Sequence, residues 1–185
     1  MNYIVFDLEW NQSPKGKEGA VDSLPFEIIE IGAVKLDENF RQTDEFHQLI
    51  SPEVYPQLHY KISEVTHLDM EVLKRQGIAF PEAVCRFLAW CGEDYTFVTW
   101  GSMDLTELQR NVTYYKMSIP FPMPFLYYDL QKLYGLLYCQ ESKDKLSLDQ
   151  AVEAMAIEVE ADRPFHHAMD DAYYTGKVMK VMEFH

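Results

Sequence analysis

The chain has 185 residues, 48% of them hydrophobic and 14% aromatic, enough to build a sizeable core in one domain, 1–185, and too apolar for a disordered chain. Sixteen Lys and Arg against 30 Asp and Glu give a formal net charge of −14, which argues against sequence-independent gripping of long duplexes, since that needs a basic face. No stretch approaches the roughly 18 apolar residues of a membrane span, and Met1-Asn2 lacks the basic segment of a signal peptide. Cys85, Cys91 and Cys139 form no Cys-x-x-Cys pair, so the expectation is a cytoplasmic protein without membrane attachment, its thiols reduced and packed as small apolar groups.

Tyr3 to Trp10 reads as a buried strand that ends in two carboxylates, Asp7 and Glu9. Side chains two apart on a strand share a face, so their oxygens can converge, and two neighbouring acids repel unless a hard divalent ion such as Mg²⁺ or Mn²⁺ sits between them. Pro14, Gly16, Gly19 and Pro25 make residues 10–26 a long loop. Strands are predicted over Glu27–Leu36 and Phe40–Ile50, which gives the sheet an antiparallel opening of three strands. Glu30 in the second strand is either a further acid of the same site or a satisfied polar group beside it.

Short helices are predicted over Ile62–His67 and Asp69–Gln76, and a longer one runs from Pro81 to Cys91 with Gly92 as its stop. Thr96–Trp100 is a short buried strand and Leu105–Lys116 a helix. Asp104, at their junction, is a helix-capping aspartate or a functional acid. Three alternating prolines make Ile119–Phe125 an apolar connector that can cover the core or serve as a docking surface. Beyond it come a strand over Leu126–Asp129, a helix over Leu130–Leu137, a helix capped by Ser147 and running to Met155, a charged loop over 158–164, and a final helix from His166 to Phe184. With Asp171 inward, that helix buries Ala168, Ala172, Thr175, Val178 and Met182; the face of Asp170, with Tyr174, Lys177 and Val181, reads as wetter. A lone buried charge is costly, so Asp171 calls for a partner or a metal.

Acids at three separate places, with His166 near the last, fit an in-line phosphoryl displacement clamped by two ions about 4 Å apart, with a histidine to take the proton of the attacking water. In their order along the chain these motifs resemble the DEDDh 3′-to-5′ exonucleases of the ribonuclease H-like fold. Phe6-Asp7-Leu8-Glu9, Glu27 to Ala33, Asp104, and His166 to Ala172 are similar to the family's successive motifs, and its five-residue histidine-to-aspartate spacing selects His166 with Asp171 over His167. The resemblance implies an α/β fold, a mixed sheet of three antiparallel and then parallel strands flanked by helices. It implies two Mg²⁺ or Mn²⁺ held by Asp7, Glu9, Asp104 and Asp171, with His166 as general base, acting on the 3′ end of single-stranded RNA or DNA and releasing nucleoside 5′-monophosphates. Asp-x-Glu-Trp-Asn-Gln and Thr-Trp-Gly-Ser-Met-Asp look most like the RNA-trimming and bacterial KapD-like branch. Thr66-His67-Leu68 lies where the family usually carries Thr-Gly-Ile against the terminal nucleoside, and Leu8 and Trp10 can line the same pocket or be plain core. A DNA proofreading or repair subunit docked on a partner through 120–125, and an idle regulatory protein of the same fold, are the competing readings.

Overall fold

The computed structural model describes residues 1–118, 127–139 and 146–182. Five strands, β1 (Asn2–Gln12), β2 (Phe26–Leu36), β3 (Gln42–Leu49), β4 (Tyr95–Thr99) and β5 (Tyr127–Asp129), form one sheet in the order β3-β2-β1-β4-β5. β1, β2 and β3 pair antiparallel, whereas β4 and β5 run parallel to β1, so the mixed sheet expected from the sequence is the one found. The described helices are α1 (Tyr60–Thr66), α2 (Met70–Gln76), α3 (Phe80–Cys91), α4 (Met103–Tyr114), α5 (Leu130–Tyr138), α6 (Leu148–Ala154) and α7 (Ala168–Val181). The connector Ile119–Phe125 lies outside the described residues.

Strand periodicity separates two cores. Ile4, Phe6 and Leu8 of β1 join Ile28, Ile31 and Ala33 of β2 under α3 and α4, where the rings of Phe6, Phe87 and Phe97 pack at 5.0–6.0 Å between centroids. Val5, Val34 and Leu36 face the opposite way, under Tyr134 of α5, Val152 of α6 and Tyr174 and Val178 of α7. Asp7 and Glu9 share the parity of Val5 and therefore stand on the α7 side of the sheet. Gly32 lets that helix come close. A Cβ there would lie 2.0 Å from the Met169 nitrogen and 2.1 Å from the Ala168 carbonyl carbon, so the first turn of α7 rests directly on the β2 backbone.

The structure corrects several expectations. α7 begins at Ala168, because His166 has φ +72° and cannot continue a right-handed helix. The Asp170 side of α7 is wet only at its far end, where Val181 is 46% exposed: Tyr174 is fully buried, its ring tilted against Phe165 at 4.7 Å, and its hydroxyl donates to the Arg163 carbonyl. The loop before the helix folds over that face, and Asp170 is reached by Arg163 at 3.4 Å. All three cysteines are free, but only Cys91 is a buried packing group, its thiol pushed up to about 12 by burial; Cys85 is exposed. No described helix is long and apolar enough to cross a membrane.

Candidate metal centre and active site

β1 delivers the first two acids. Asp7 lies opposite Gly32 and Glu9 opposite Glu30, and the register slips only between Glu9 and Trp10, so strand alternation holds across both carboxylates. β4 ends at Thr99, and Gly101, at φ +95°, makes the turn that starts α4. The buried Asp104 stands in the first turn of that helix, but it is not the cap: Ser102 occupies the N-cap position, and Asp104 Oδ1 accepts the Leu8 amide at 3.2 Å. This bond fastens α4 to the strand that carries the other acids. α7 brings Asp171, whose two oxygens accept the His166 amide at 3.2 and 3.3 Å.

Carboxylate oxygens of Asp7, Glu9 and Asp171 lie within 4.8 Å of one another, close to the ~4.2 Å that separates opposite ligands around an octahedral Mg²⁺. Asp104 stands outside that closest group, near enough to raise the affinity of both Asp7 and Glu9 for a proton. Burial holds Asp7 well above the usual carboxylate range, and the charges of Asp104, Asp171, Glu9 and Glu30 push it further. Glu9 rises to about 9, through burial and then Glu30, Asp171 and Asp104. Asp104 and Asp171 both reach about 7 because burial outweighs the backbone amides that hydrogen-bond them. Among the described residues no Lys or Arg pairs with any of the four. Uncompensated, hard, all-oxygen donors of this spacing fit a divalent cation.

Glu30 is satisfied by protein. It is 2% exposed and takes His47 Nε2 at 2.7 Å and the Ala168 amide at 3.5 Å, and it lifts the His47 pKa through that hydrogen bond. Sequence reasoning missed His47, because its meeting with Glu30 depends on the β2–β3 register that sets it opposite Gly32. It also passed over Asn11. That fully buried side chain accepts the His59 amide at 2.9 Å and donates to the Tyr55 and Gln57 carbonyls, binding the 55–59 segment to β1. A third polar side chain at the parity of Asp7 and Glu9 was the available signal.

The residues expected around the terminal nucleoside divide by exposure. Leu8 is 3% exposed and Thr66 1%, so neither offers a side chain to a ligand: Leu8 packs in the α3–α4 core, and the Thr66 hydroxyl donates to the Ile62 carbonyl while accepting the Leu68 amide. Trp10 is half-buried, 5.8 Å from Phe26 between ring centroids, and Leu68 is half-buried as well. His67 is exposed at φ +54°, the left-handed conformation that glycine adopts freely. His166 is exposed, and its amide is anchored to Asp171.

A β3-β2-β1-β4-β5 mixed sheet with carboxylates from α4 and α7 gathered against those of the central strand β1 defines a protein of the ribonuclease H-like class, with an acidic centre suited to divalent metal. The family model described as Exonuclease, RNase T type, matches residues 4–179. Over 183 residues the chain is 27% identical to the "Probable 3'-5' exonuclease KapD" of Bacillus subtilis (strain 168), covering 97% of this chain and 83% of that protein. It superposes with a TM-score of 0.80 and 22% identity on the nuclease domain of 3'hExo, a DEDDh family member bound to rAMP, covering 98% of this chain and 90% of the other. A 3'-exonuclease that recognises the 3' end of a histone mRNA stem-loop gives 0.81 and 20%, covering 98% and 80%. The chain belongs to the exonuclease family, as its four motifs in order led one to expect.

Proposed function

We propose that residues 1–185 form one exonuclease domain that removes nucleoside 5′-monophosphates stepwise from the 3′ end of single-stranded nucleic acid, RNA in preference to DNA. The observation that carries this reading is the meeting of Asp7, Glu9 and Asp171 oxygens within 4.8 Å, with Asp104 tied to the same strand through the Leu8 amide. The direction of attack follows from the similarity to KapD and the DEDDh nuclease domain, and the RNA preference from the histone mRNA and rAMP complexes of its structural relatives.

Asp7, Glu9, Asp104 and Asp171 would hold two Mg²⁺ or Mn²⁺. Such ions, when bound, make the site electropositive, acidify water and stabilise charge on the attacking and leaving oxygens. His166 takes the proton of the attacking water on its imidazole. The oxygen of that water forms the new bond to phosphorus while the bond to the preceding nucleotide's O3′ breaks. O3′ leaves as the new chain end and takes a proton from solvent, and the product carries a 5′-phosphate. The Asp171 carboxylate positions the base by gripping the His166 amide. Trp10, His67 and Leu68 remain as candidate walls for the terminal nucleoside.

End-labelled RNA and DNA oligomers, single- and double-stranded, incubated with Mg²⁺ or Mn²⁺, test this reading. Stepwise loss of mononucleotides from the 3′ end that stops on chelation is the expected result. Internal cleavage, or digestion from the 5′ end, would reject it.

A further inference from the structure

A second concave surface, of about 630 Å³, lies on the outer side of α4 between that helix and Ser23 of the loop leaving β1. Thr106, Arg110 and Thr113 recur at helical spacing, so with Tyr114 and Lys116 they form a stripe that starts half a turn past Asp104. At 1.5 Å per residue it runs outward for about 12 Å before the helix ends. In a chain of net charge −14, two cations line this groove, and among the described residues no acid does. Glu107, 1% exposed on the same helix, engages Arg110 through one terminal nitrogen at 2.9 and 3.2 Å. That pairing orients the guanidinium, and among the described residues no other side chain is bonded to its remaining nitrogens. Cations along one line, with an aromatic ring among them, are the equipment with which proteins hold an unpaired strand.

We propose that this groove is a second binding site for single-stranded nucleic acid, holding the sugar-phosphate chain on the 5′ side of the nucleotide being removed. The exonuclease reading supplies the direction in which the strand runs. Arg110 and Lys116 contact phosphates, the Ser23 hydroxyl donates to a phosphate oxygen, and the Tyr114 ring receives a base, while the Thr106 and Thr113 hydroxyls stay bonded to the Ser102 and Gln109 carbonyls. The groove gives an acidic protein a local attraction for a strand longer than the metal pocket alone can hold.

The test is fluorescence anisotropy with a labelled single strand of about twelve nucleotides, within the span of known single-strand sites. It uses the full chain carrying Asp7→Asn to prevent hydrolysis, with Mg²⁺ over a range of salt. Thr113→Glu with Lys116→Glu leaves the Glu107–Arg110 pair in place and is expected to weaken binding roughly tenfold. It should also flatten the slope of log Kd against log salt by about 0.7 for each phosphate that the groove no longer neutralises. Lys116→Ala, which adds no charge, should show the same change at smaller size. Thermal unfolding of each variant separates loss of the groove from loss of the fold. Equal affinity and equal salt slope in both variants would overturn the groove. Hydrolysis by the unmodified chain, assayed separately, decides the exonuclease reading, so the two can fail independently.

Discussion

Glu9→Gln provides a quantitative test of the acid cluster in the absence of metal. In the folded chain Glu9 keeps its proton up to about pH 9, against an ordinary value of 4.5. The unfolded chain has lost that proton above 4.5, so between 4.5 and 9 the native state binds one proton more. Stability therefore falls as pH rises through this window, by about 1.4 kcal/mol per unit. Between about pH 6 and pH 8 the loss from this residue is about 2.7 kcal/mol, which for a chain of this size lowers Tm by roughly 5–11 °C. Thermal unfolding in chelator at the two pH values should show that drop in the unmodified chain, and Glu9→Gln should remove most of it. Added Mn²⁺ should stabilise the fold by about 2.7 kcal/mol at a hundredfold excess over Kd, and a given Mn²⁺ concentration should raise Tm more at the higher pH, where fewer protons must be displaced. If Glu9→Gln keeps the full pH dependence, Glu9 is not a buried neutral acid and the electrostatic account of the centre fails.

Asp7→Ala and Asp171→Ala should each abolish hydrolysis, measured as mononucleotide release from end-labelled RNA. His166→Ala should cost about 10²–10⁴ in kcat while calorimetry shows little change in metal affinity; a fully active variant would remove its role as base. Gly32→Ala drives a methyl group to 2.0–2.4 Å from the backbone of α7, so it should destabilise by about 3 kcal/mol or more and lower activity at temperatures where the chain is still folded. His67→Gly relieves a left-handed residue and should stabilise by up to about 1 kcal/mol in denaturant unfolding.

What could be read from the sequence followed from short-range periodicity. Asp7 and Glu9 share a face because strand alternation is fixed, and Asp171 with Ala168, Ala172, Thr175 and Val178 follows helical spacing. Pairings set by register or by irregular chain were not legible. The Asp104–Leu8 bond spans 96 residues, and Glu30 meets His47 only because β3 pairs with β2 as it does. Tyr174 is buried by a loop without periodicity, so spacing alone makes the face it shares with Asp170 read as wet. The positive φ of His166 leaves no trace in residue type, and the helical pattern alone starts the final helix two residues early.

Four acids that repel one another need a frame that stops them from separating, and the frame is made of contacts that touch no metal. The Leu8 amide holds Asp104, the His166 amide holds Asp171, and Asn11 pins the segment beside β1. Gly32 and Glu30 seat the first turn of α7 against β2, with His47 partnering the Glu30 charge. Because these anchors are hydrogen bonds and backbone contacts and not opposing charges, they hold the oxygens together without neutralising them. The raised proton affinities of Asp7, Glu9, Asp104 and Asp171 come first from burial and then from that unrelieved repulsion. A cation entering a cage held in this way gains the full attraction of its ligands, with little energy spent in bringing them together. It follows that loosening the frame at Gly32 or Glu30 should weaken metal binding even though neither residue is assigned as a ligand.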